Sequence, residues 1–132
     1  MPSHNDSEEI LSAVRDLFQA AEDDIKKVER TSREIPIPAV NELRYAGHHL
    51  LKGLGASTPM EREEQYHRAR RHCQRARHDA VEVRLWYFLG KFKEFQDDYQ
   101  TVSIPPVWPD YVDDAQCFDA AMTSITTVAA RL

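Results

Sequence analysis

Apolar residues in the first third of the chain recur at Leu11, Val14, Phe18, Ala21, Ile25 and Val28, in alternating steps of three and four. That spacing follows the helical turn and keeps all of them on one stripe, so it predicts an amphipathic helix. Its start is expected near Asp6, whose carboxylate can accept from the free N–H groups of the first turn. Glu9 stands three residues on, where it can reach back. Pro36 and Pro38 end this helix, because proline has no N–H to donate and restricts the residue before it.

A second helix is expected from Pro38 to Leu54, with Val40, Leu43, Gly47, Leu50 and Leu54 as its buried stripe. Gly47 in mid-helix costs about 1 kcal/mol relative to Ala, and the expected return is close approach of another backbone. Gly55 is expected to supply a left-handed cap.

The third helix has the clearest start. Thr58-Pro59-Met60-Glu61 is a capping box with proline at the first helical position. No proline follows until Pro105, so this helix can run about 40 residues, roughly 60 Å. Its stripe is Tyr66, Ala69, Cys73, Ala76, Ala80, Val83 and Tyr87. The small residues of its first half let a neighbouring helix come close. The bulky run from Leu85 to Phe95 is apolar nearly all round, which predicts cover on several sides, and Gly90 within it is a candidate kink. This aromatic run reads as core, with a ligand pocket or partner groove as the alternative.

Residues 100–109 contain three prolines and predict an extended connector, with Trp108 docked on the helices. A fourth helix follows from Asp110, with the stripe Tyr111, Ala115, Phe118, Met122, Ile125 and Ala129. Short connectors make neighbouring helices antiparallel. The expectation is therefore all-α: one antiparallel four-helix bundle with a long third helix, a single domain over 1–132. The last helix reaches Leu132 without a stop signal, as a piece of a longer chain would.

Composition supports this picture. The 132 residues are 42% hydrophobic and 30% charged, a globular balance. Glycines number only four, and no segment alternates polar with apolar for long, so a sheet is not expected. The net charge of −5 argues against indiscriminate polyanion binding. It is unevenly spread: residues 61–78 carry six Arg against three Glu. Cys73 and Cys117 both sit beside apolar positions, as free core thiols do. Met1–Ser7 lacks the apolar stretch of a signal peptide, and no run is long enough to span a membrane. These features predict a cytoplasmic protein with reduced thiols.

Candidate chemistry concentrates in the basic block Glu61–His78. Arg71 and His78 are seven apart and share a face; Arg68, His72, Arg75 and Asp79 line another. An Arg fork beside an imidazole can bind a phosphate and move a proton. The plain alternative is a solvated face with ion pairs such as Arg75–Asp79. On the second helix, Arg44 and His48 are one turn apart and can meet the third helix across a groove; the alternative is one packed and one surface histidine among His48 and His49. Glu64-Gln65-Tyr66-His67 has the spacing of a di-iron ligand pair but no second copy, and the cysteines do not reproduce zinc spacing, so neither a metal nor another cofactor is expected. No Gly-rich phosphate loop, nucleophile elbow or Cys-x-x-Cys occurs.

The run Arg71-His72-Cys73-Gln74-Arg75-Ala76-Arg77-His78 resembles the Arg-to-His motif of HEPN domains, small helical bundles that are often metal-independent ribonucleases. Arg44 to His48 or His49, and Arg62 to His67, fit the same pattern at shorter spacing. The resemblance implies RNA cleavage at a homodimer, with His78 as acid/base and Arg71 stabilising phosphate charge. Two functions therefore stand as expectations. The first is a helical interaction or oligomerisation module, self-associating or binding a protein partner, within a larger assembly such as a bacterial effector or defence system. The second is a HEPN-like ribonuclease, or an RNA- or nucleotide-binding domain, using Arg71 and His78, with Arg44, His48, Arg68, His72 and Arg75 as binding residues.

Overall fold

The computed structural model describes the backbone of residues 4–130 and the side chains of 6–127. It contains four helices: α1 (His4–Ser32), α2 (Ile37–Leu54), α3 (Pro59–Asp98) and α4 (Tyr111–Ala130), with no strand among the described residues. The fold class is the expected one, all-α and four-helical, and α3 is the longest element at 40 residues. None of the described helices is long and apolar enough to cross a membrane. Two compact units divide the chain, Met1–Leu85 and Trp86–Leu132.

In the first unit, α1, α2 and the larger part of α3 share a core of small residues. Val14, Ala21, Ile25 and Val28 from α1 meet Ala39, Leu43 and Ala46 from α2 and Ala69, Cys73, Ala76 and Ala80 from α3. Small side chains let the helix axes approach, and the interior is then filled largely by backbone and Cβ atoms. One half of the expected capping box forms: Glu61 N–H donates to Thr58 Oγ1 at 3.2 Å, with no return bond from Thr58 N–H to the Glu61 carboxylate among the described residues, and α3 begins at Pro59.

Several local expectations are corrected. The first helix is already formed at His4, so Asp6 lies inside its first turn instead of capping it. On α2 the buried stripe is Ala39, Leu43, Ala46 and Gly53; Val40, Gly47 and Leu50 are half-buried and Leu54 is exposed. The close approach falls at Gly53, where a Cβ would lie 2.5 Å from the Tyr66 ring. At Gly47 a Cβ would meet nothing within 4 Å. Gly55 caps α2 with φ −90°, not in the left-handed region. The left-handed residue is Arg33, at φ 62°, directly after α1; its N–H donates to Glu29 O at 2.9 Å.

The second unit is built from rings. Phe92 of α3 sits 4.6 Å from Phe118 of α4, centroid to centroid. Trp108 packs 5.9 Å from both Phe92 and Phe95 and 5.3 Å from Tyr111. Its indole N–H donates to Asp114 Oδ2 at 3.0 Å. The connector is a run of turns and not the extended segment expected: the N–H groups of Val107 and Trp108 both donate to Ile104 O, and Ile104 is buried. Leu85, Trp86 and Phe88 are exposed, against the expected cover on several sides. Burial on α3 also changes register. Seven residues beyond Ala80 is half-buried Tyr87, but the buried residue is Leu89, two positions later.

The thiols differ. Cys73 is fully buried, and burial pushes its pKa from 9.0 up to about 11. Cys117, expected to be packed, is exposed.

Candidate functional site

The seam between α2 and α3 carries the most organised polar group of the first unit. Ala46, Gly53 and Ala69 are buried there, which brings backbone close enough for side chains at the edge to bridge. Glu42, Tyr45 and His49 project from α2 at steps of three and four, a polar stripe beside the apolar one. Gln65 and His72 face them from α3. His72 Nδ1–H donates to Glu42 Oε2 at 2.6 Å, with the two side chains only 18% and 20% exposed. His49 Nδ1–H donates to Gln65 Oε1 at 2.8 Å. The two imidazoles stack, 5.2 Å between centroids and 9° between planes, and Tyr45 lies tilted against His72 at 5.5 Å.

These partners set the tautomers. A carboxylate and an amide oxygen can only accept, so each Nδ1 carries the proton and each neutral ring keeps its lone pair on Nε2. The stacked pair is thus held at both ends, by a carboxylate on one side and an amide on the other. Such a network ties α2 to α3 and fixes the rotation of both helices. It also leaves the Nε2 atom of each ring as a hydrogen-bond acceptor.

Most of the residues singled out by sequence lie elsewhere. Arg71 is exposed and forms no hydrogen bond or ion pair among the described residues. The His78 side chain is 77% exposed, with its Nδ1 3.6 Å from Asp79 and 3.9 Å from Glu82 on its own helix. Arg75 is exposed, and the ion pair considered for it with Asp79 is not formed. Arg68 pairs with Glu64 at 2.7 Å, and Arg44 donates to Asn41 at 3.2 Å. His48 is exposed, and its ring stands edge-on to His49 at 5.5 Å. Of the proposed binding set, His72 alone is drawn into a shared site. Its partners there are Glu42, Tyr45, His49 and Gln65: His49 is the packed histidine and His48 the surface one of the expected pair, while Glu42, Tyr45 and Gln65 lie outside the expected binding set. Their spacing was the available signal: 42, 45 and 49 repeat the helical step on the flank that adjoins the buried stripe.

Other placements are structural. Arg77 donates to Asp24 at 3.0 Å, linking α3 to α1. Ser7 donates to Glu63 at 3.3 Å. Among the described residues one trio could hold a cation, His78, Asp79 and Glu82, whose ligand atoms lie within 4.8 Å of one another on an exposed helix face.

The remaining feature is a groove between α1 and α2. Its volume is about 620 Å³, and Leu11, Phe18, Gly47, Leu50 and Leu51 line it, with Arg15 and Gln19 at the edge. A smaller hollow of about 250 Å³ lies by Ser7, Leu54, Pro59, Arg62 and Tyr66. Comparison with protein-family models, with curated proteins and with solved structures gives no match.

Proposed function

We propose that this protein is a helical interaction module whose working surface is the α1/α2 groove. One observation carries the reading: the groove is walled by leucine and phenylalanine yet open to solvent, and Leu51 beside it is 72% exposed. Fully burying one such leucine is worth roughly 1.5–3 kcal/mol, so a partner helix covering the groove gains several kcal/mol toward association. The polar network between α2 and α3 supports this role by fixing the rotation of α2, which sets the direction in which Leu51 points. The free thiols, one buried and one exposed, fit a reducing, cytoplasmic setting.

RNA cleavage is the less favoured reading. The carboxylates of Asp79 and Glu82 stand beside His78 and oppose the approach of a phosphate, and no described residue joins Arg71 to His78.

The test is photo-crosslinking in the producing cells, with a benzophenone side chain at position 51 and a control at exposed Lys27 on α1. A discrete adduct from position 51 and none from position 27 is expected. Equal, featureless labelling at both positions would overturn the module reading.

A further inference from the structure

We infer that the occupant of the α1/α2 groove is a second copy of this chain, paired about a two-fold axis with α2 of each copy lying along α1 of the other. This rests on the interaction-module reading and names its partner.

The first support is shape. A two-fold interface must be complementary to itself, so one patch has to carry both the protrusion and the recess that receives it. Leu51, 72% exposed, forms the rim of the recess walled by Leu11, Phe18 and Leu50, and Leu54, 62% exposed, borders the adjoining hollow that shares Leu11. A rotation about an axis through this patch sends the leucines of each copy into the recess of the other.

The second is Gly47. It lies in the middle of α2, where glycine costs about 1 kcal/mol relative to alanine. At Gly53 the fold itself explains the glycine, because Tyr66 occupies the space of a Cβ. At Gly47 nothing in the chain comes within 4 Å of that position. The missing side chain leaves open space beside the groove, into which the backbone of an incoming helix can approach closely.

The third is charge. The α1 helix carries eight acids against four bases, and it stays acidic with Asp24 committed to Arg77. On α2 the only acid, Glu42, is taken up by His72, and the exposed charges are Arg44 and Lys52. Packed helices lie about 8–10 Å apart, within a Debye length at physiological salt, so the sign of the neighbouring helix matters. Setting α2 against α1 of the partner opposes unlike net charges, Arg15 at the groove edge being offset by Asp16 at 3.4 Å, whereas α1 against α1 would repel.

Sedimentation equilibrium of the purified full chain, over roughly 1–100 µM, is the first measurement. The expected result is a species of twice the 15.3 kDa chain mass. Gly47→Leu fills that space and is expected to raise Kd at least about tenfold. Compared with the wild type at concentrations where both are monomeric, its thermal midpoint should stay level or rise, since leucine is the better helix former and a Cβ at position 47 meets nothing within 4 Å. Leu51→Glu is expected to give a monomer as well. A wild-type chain that stays monomeric throughout, or a Gly47→Leu chain that dimerises as the wild type does, would overturn the inference. The crosslink at position 51 separates the two levels. An adduct of twice the chain mass supports the second copy. An adduct of any other mass overturns it while leaving the module, and no adduct removes both.

Discussion

The two units solve the problem of burying a small core in opposite ways. The first packs alanines, a cysteine and slim aliphatics, and most of its core residues are fully shielded from water. The second stacks aromatic rings about Phe92, and among its residues Leu89, Ile104 and Phe118 are buried while the rings of Phe92, Phe95 and Trp108 remain half-exposed. Close backbone approach gives the first unit precision: there is no slack around Cys73, so helix rotation is fixed and the outward-facing groove is fixed with it. Ring stacking gives the second unit area without a sealed interior. The first unit is therefore sensitive to added volume, and the second to lost volume. Built-in probes separate them. Both tryptophans, Trp86 and Trp108, belong to the second unit, and the buried Cys73 thiol belongs to the first.

The largest effect should come from removing a ring. Phe118→Ala takes away the 4.6 Å partner of Phe92 and leaves a void in the middle of the cluster. A loss of about 3 kcal/mol is expected in the urea transition followed by tryptophan fluorescence. The rate at which Cys73 reacts with a thiol reagent should stay unchanged. Acceleration of Cys73 together with the fluorescence transition would show that the contrast between the units is not energetic.

Adding volume should act in the reverse sense. Ala76 is fully buried between helices, and Ala76→Leu needs space that only separation of the axes can give. About 1–3 kcal/mol of destabilisation is expected. At about 2 kcal/mol, Cys73 labelling through the opened state would quicken roughly thirtyfold. Tryptophan fluorescence should report little. If Ala76→Leu is neutral by thiol labelling, the first unit has slack that its burial does not reveal.

Alkaline pH gives a smaller and more selective effect. Burial raises the Cys73 pKa from 9.0 to about 11, so the folded chain resists ionisation there. Below pH 9 the thiol is neutral in both folded and unfolded chains, and its contribution is fully present. As pH rises through 9 toward 11, only the unfolded chain ionises freely, and stability falls. The loss attributable to this group is about 2 kcal/mol at most by pH 11, and less at lower pH. Cys73→Ala should flatten that part of the stability profile, and a profile identical to wild type between pH 9 and 11 would refute the assignment. Exposed Cys117 should react readily at pH 8 in either chain.

Helix number, order and approximate bounds were legible because apolar spacing is a one-dimensional signal that survives any arrangement of the helices. The start of α3 was legible because Thr58, Pro59 and Glu61 act within one turn. The groove and the histidine network were not, for a shared reason. On α2 the apolar positions span more than one face, so periodicity does not decide whether Ala46 or Gly47 turns inward. A rotation of one residue, about 100°, exchanges His49 for His48 at the α3 seam and Leu51 for Leu50 in the solvent. What decides it is the match between α2 and the small stripe of α3, a tertiary fact. The register change near Leu85 escaped for the same reason: the bulky run is apolar on every side, and which side is buried depends on where Trp108 and Phe118 stand.

The smallest expected effect tests whether the precision of the first unit extends to its connections. Arg33 holds a left-handed conformation at φ 62° at the end of α1, a cost of roughly 1 kcal/mol for a residue with a Cβ. Its backbone N–H still closes the last turn on Glu29, so the conformation and not the side chain is what the site requires. Glycine removes the steric cost but adds freedom to the unfolded chain, and the two partly cancel. Arg33→Gly should therefore stabilise the first unit by only about 0.5 kcal/mol. Slower Cys73 labelling, with the tryptophan transition unmoved, is the expected reading. A loss of stability would mean that the α1–α2 connection is held by the arginine itself. The groove between those helices would then depend on a surface side chain and not on the core.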